Sequence, residues 1–161
     1  MHVEKITYTD YAGKERTEDF NFSLNKAEII KWLAQSGGFT LDQVLEKLIH
    51  SENSREIINI FDDLLHRAYG EVSLDGKKFI KAYTDPEVAS NFFDTEAYSV
   101  LFMKLIGDAE FAGNFLNSII PKDLAEDVAK LLAENSEGIP DEVKDYIPKR
   151  SGNVAQITPI N

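Results

Sequence analysis

The chain has 161 residues, 43% of them hydrophobic and 11% aromatic, which is one globular domain's worth of sequence and unlike a disordered chain. Its 28 acidic and 17 basic residues leave a formal charge of -11, which repels phosphate backbones and anionic lipid and excludes nucleic acid and membrane surfaces as natural partners. With no cysteine there is no disulfide, thiolate metal site or thiol nucleophile, and a reducing compartment fits.

The first segment, Val3 to Phe22, alternates β-branched and aromatic residues with polar ones on either side of Asp10-Tyr-Ala-Gly13, and predicts a β-hairpin. It is polar where a signal peptide would be continuously apolar, and no later run approaches about 18 apolar residues, so a cytosolic protein is expected. Asn25-Lys-Ala-Glu28 has capping-box spacing and opens a short helix with Ile29, Ile30, Trp32 and Leu33, stopped at Gly37-Gly38. Thr40-Leu-Asp-Gln43 repeats the signal before Leu41, Val44, Leu45, Leu48 and Ile49. A third helix is predicted from Ser54 to Tyr69, with Ile57, Ile58, Phe61, Leu64, Leu65 and Ala68 on one stripe and Gly70 ending it.

Glu71 to Lys81 carries a Leu-Asp-Gly turn and reads as an ordered loop or small hairpin. Asp85-Pro86 caps and opens a short helix through Phe92 or Phe93. The next helix, from about Asp94 to Gly107, is apolar on nearly every side: Tyr98, Leu101, Phe102 and Leu105 form the stripe expected to face the core. Val100, Met103 and Ile106 fall on the other side. A second apolar face implies either burial all round or a second partner. Asp108 caps a further helix to Ile120, with Phe111, Ala112, Phe115 and Ile119 on one stripe widened by Leu116 and Ile120. Gly113 inside it points to a close backbone approach or tolerated looseness. A last helix is expected from Asp123 to Ala133. Ile139 to Asn161, with three of the five prolines and no helical stripe, is expected to be a flexible tail on a single domain of residues 1–138.

Chemistry is sparse. His66 follows Asp62 by four residues and could supply half of a metal site, but a surface ion pair accounts for the spacing better. Asp75-Gly76 lacks the remaining oxygen ligands of a calcium loop, and no glycine cluster has phosphate-cradling spacing. No catalytic, cofactor-binding or metal residue is assigned and no cofactor is expected. The candidate protein-interaction residues are Val100, Met103, Ile106, Phe111, Phe115 and Leu116.

Ala68-Tyr-Gly-Glu71, Leu74-Asp-Gly-Lys-Lys-Phe-Ile-Lys81, Phe93-Asp-Thr-Glu-Ala-Tyr-Ser-Val-Leu-Phe-Met103 and Phe115 to Pro121, together with the hairpin opening, resemble the tail assembly chaperones of long-tailed bacteriophages over roughly residues 3 to 124. The resemblance implies a non-enzymatic protein of the host cell cytoplasm that coats the tape-measure protein, keeps it soluble and helps tail-tube protein polymerise around it, acting as a homo-oligomer. The expected fold is α+β and mainly helical, a hairpin followed by five or six helices. A structural tail or capsid component of the virion is the alternative, and a small carboxylate enzyme is a further rival.

Overall fold

The computed structural model describes residues 1–35 and 54–124. The Gly37-Gly38 stop, the helix expected from Thr40, the expected last helix beyond Leu124 and the tail from Ile139 lie outside the described residues. Contacts divide the chain into two compact units, Met1–Leu24 with Ser51–Ile119, and Asn25–His50 with Ile120–Asn161.

The first unit begins with the predicted hairpin, β1 (His2–Thr9) and β2 (Glu15–Phe22), paired from His2↔Phe22 to Thr9↔Glu15. Asp10 builds the turn. One of its carboxylate oxygens accepts from the Ala12 and Lys14 amides at 3.0 and 2.9 Å, the other from Arg16 Nε at 2.6 Å, and Gly13 supplies the required positive φ of 83°. The Lys14 amide, then the Arg16 guanidinium, holds the Asp10 carboxyl below the usual carboxylate range.

Helix α2 (Ser54–Ala68) runs directly into β3 (Tyr69–Val72), which turns into β4 (Phe79–Lys81). Gly70 therefore does not terminate a helix, as its sequence position suggested. It sits inside a strand, opposite Asn21 on one side and Lys81 on the other. Its missing side chain makes room for the Phe79 ring, since a Cβ there would lie 2.6 Å from that ring. The small-hairpin reading of Glu71 to Lys81 is the observed one. This hairpin joins the first in a single sheet of order β1-β2-β3-β4, all antiparallel. Lys81 fastens the junction by donating from Nζ to the carbonyl oxygens of Ser23 and Arg67, while the Ser23 amide donates to the Ala68 carbonyl, so these last-turn carbonyls of α2 find partners outside the helix.

Strand alternation decides which face is covered. Ile6, Tyr8, Phe20, Phe22 and Tyr69 are buried, whereas Val3, Lys5, Thr7 and Thr9 are exposed. On the open face Thr7 and Thr17 hydroxyls bond at 2.9 Å and Lys5 pairs with Asp19 at 3.4 Å. On the covered face lie α3 (Pro86–Phe93), α4 (Glu96–Gly107) and α5 (Ala109–Ile119), with α4 packed on β1 and α3 on β3 and β4. Phe92 centres the core, its ring 4.8 Å from Tyr69, 5.0 Å from Phe20 and 5.5 Å from Phe22. The predicted caps are present: the Asp85 carboxylate accepts from the Glu87 and Val88 amides, and Asp108 from the Phe111 amide at 3.0 Å.

In the second unit, α1 (Lys26–Gln35) opens with the predicted capping box. Asn25 Oδ1 accepts from the Glu28 amide and Glu28 Oε2 from the Asn25 amide, both at 2.9 Å, and Ile29, Trp32 and Leu33 are buried. The described residues are 53% helix and 22% strand, so the class is α+β with helix the larger share, and the expected "mainly helical" character holds in part beside a four-stranded sheet.

Candidate functional site

Helix α4 was expected to be apolar on two sides, and its burial shows how those sides are used. Ala97, Leu101 and Leu105 are buried and share one stripe at about 100° per residue. Tyr98 and Phe102, expected in that stripe, are half-buried on its flank. The phenol explains the shift: Tyr98 donates to Asp62 of α2 at 2.8 Å, and a carboxylate acceptor must stay near water. The helix rotates so that small Ala97 meets the core instead. Burial, and then the hydrogen bond to Asp62, pushes the Tyr98 hydroxyl up to about 12.

The same flank accounts for His66. Its Nδ1 donates to the Asp62 carbonyl at 2.8 Å, and its ring stacks on Phe93 with centroids 4.0 Å apart. The Asp62 carboxylate lies 3.6 Å from the same nitrogen, the expected ion-pair geometry. Among the described residues no three metal-ligating side chains converge.

The opposite flank of α4 carries Glu96, Val100 and Met103. Met103 is 61% exposed and Val100 42%, on a helix already anchored by its other faces. Ile106 is half-buried. Phe111 of α5 is half-buried too, with Lys104 Nζ held 3.9 Å above its ring by cation–π attraction. Phe115 and Leu116, taken as candidates alongside them, are core residues at 2% and 0% exposure, Phe115 packing edge-on against Phe22 and His2. The exposed ridge is thus Val100 and Met103, bordered by Ile106 and Phe111.

Tyr11, which the sequence marked only as a turn residue, belongs to this neighbourhood. The neighbouring Glu96 carboxylate raises the pKa of its phenol, first through hydrogen bonding and then through charge. The tip of the first hairpin thus lies beside the start of α4, with the ring 79% exposed. Nothing in the alternation of the hairpin signals a contact so distant in sequence.

A family model described as phage tail assembly chaperone matches residues 1–157. The chain belongs to the phage tail assembly chaperone family. That family is one of chaperones and not of enzymes. Neither a curated protein nor a solved structure matches the chain. Among the described residues no helix is long and apolar enough to cross a membrane.

Proposed function

We propose that this tail assembly chaperone binds the tape-measure protein through the Val100 and Met103 ridge of α4, keeps it soluble before assembly and supports polymerisation of the tail-tube protein around it. It acts without catalysis, in the host cytoplasm, as a homo-oligomer. The observation that supports the reading is the pairing of a large, flexible, exposed Met103 with Val100 on a helix whose other stripe is fully packed. A long helical client exposes apolar stripes that aggregate unless covered reversibly, and a helix face with an adaptable thioether suits that contact. The charge of -11 keeps the carrier soluble while it does so.

The test is affinity for a purified tape-measure fragment, with light scattering to follow its solubility. Met103→Glu and Val100→Glu are expected to weaken binding tenfold or more, about 1.4 kcal/mol. Unchanged binding in both variants would remove the ridge as the client surface. Recovery of the chain in stoichiometric amount from purified virions would favour the structural-component reading instead.

A further inference from the structure

The sheet has two unlike edges. β4 is three residues long, a length that offers little template, whereas β1 runs for eight residues without proline or positive φ. Among the described residues β1 pairs only with β2.

The hydrogen-bond phase shows which β1 groups point outward. The Asp10 amide donates to the Lys14 carbonyl at 2.8 Å, which makes Thr9↔Glu15 a non-hydrogen-bonded pair and Tyr8↔Arg16 a bonded one. The alternation continues down the strand, and the 2.9 Å contact between the Thr7 and Thr17 hydroxyls fits the closer approach of side chains in a non-bonded pair. The amides and carbonyls of Val3, Lys5, Thr7 and Thr9 therefore face away from β2.

We infer that two copies of this chain join β1 to β1, antiparallel, in a register centred on Ile6. Val3 then lies opposite Thr9 and Lys5 opposite Thr7, and all four outward-facing residues of each strand enter the ladder, about eight backbone hydrogen bonds in all. On the other side of the strand Glu4 meets Tyr8 and Ile6 meets Ile6. No like charges are opposed. A register centred on Lys5 would set Lys5 against itself, and one centred on Thr7 would shorten the ladder to five residues. Charge also favours this strand over other surfaces: its only charged residues at neutral pH are Glu4 and Lys5, which cancel, on a chain of -11. The symmetry is isologous and closed. Because bonded residues project to the same side of a sheet, the joined sheet has eight strands with both α4 helices on one face.

The inference rests on the homo-oligomer part of the proposed function, and its test separates the two. Sedimentation equilibrium of the full chain should show a dimer. Lys5→Pro removes an outward amide without touching the β2 ladder, and should raise the dimer dissociation constant tenfold or more while far-UV circular dichroism is retained. Thr7→Lys, which leaves the backbone intact and sets a lysine opposite Lys5 of the second copy in each of the two symmetric pairs, should weaken the dimer as well. Met103→Glu should leave it intact. Since the chain has no cysteine, mixed Lys5→Cys and Thr7→Cys proteins should cross-link to each other under mild oxidation better than either does alone. A monomeric wild type, or a Thr7→Lys protein as dimeric as wild type, overturns the inference while leaving client binding by the ridge standing.

Discussion

At Gly70 a Cβ would sit 2.5 Å from the Ile80 carbonyl oxygen and 2.6 Å from the Phe79 ring, and only the ring has freedom to move. At Gly113, within α5, a Cβ would meet nothing within 4 Å. Close backbone approach therefore does not explain Gly113, and its cost in the helix is the ordinary loss of backbone entropy. Gly113→Ala should raise stability by about 0.5–1 kcal/mol, whereas Gly70→Ala should lower it by about 2–3 kcal/mol or more, since a backbone oxygen has to yield. Urea unfolding midpoints of the two variants decide the matter. A stabilising Gly70→Ala would mean that β3 and β4 are not packed as described. Both glycines were visible in the sequence, and their difference was not. It depends on which residues lie across the pairing of β3 with β4, a register that the turn residues between them do not announce.

Helix α4 shows the same limit one level up. Its existence, its end at Gly107 and its two apolar sides follow from composition and spacing, and the observed helix agrees. The direction of its core stripe did not follow, because hydrophobicity alone ranks Tyr98 and Phe102 above Ala97. What turns the helix is the hydrogen bond from Tyr98 to Asp62 and the edge-on contacts of the Tyr98 ring with His66 and Phe93, none of which has a periodic signature. The candidate surface was legible to the same degree. Val100 and Met103 stand exposed, while Phe115 and Leu116, on a helix of similar composition, are interior. The faces make a direct test. Leu101→Ala should destabilise the fold by about 2–5 kcal/mol, since Leu101 is fully buried, while Met103→Glu should change stability by no more than about 0.5 kcal/mol. Thermal unfolding of both proteins measures the contrast. A Met103→Glu protein as unstable as Leu101→Ala would mean that this flank is interior in solution.

For the whole molecule the dominant fact is a charge of -11 on a chain that is proposed to meet its own copy. Two such copies repel at long range, so their association must be carried by backbone hydrogen bonds and apolar contact at short range, where strand His2–Thr9 is itself neutral. Salt then acts in one direction. Raising ionic strength shortens the screening length from about 10 Å at 0.1 M to about 3 Å at 1 M, which removes repulsion between the bodies of the two copies and leaves the ladder at their junction little changed. Dimerisation should therefore tighten several-fold between 0.05 and 0.5 M sodium chloride, the opposite of the steep weakening that a surface joined by complementary charges displays. Sedimentation equilibrium across that series reads the sign. Tightening fits a neutral edge between acidic subunits. Weakening would show that copies meet through opposed charges, with basic side chains of one against the acidic surface of the other, and β1 would then be the wrong seam.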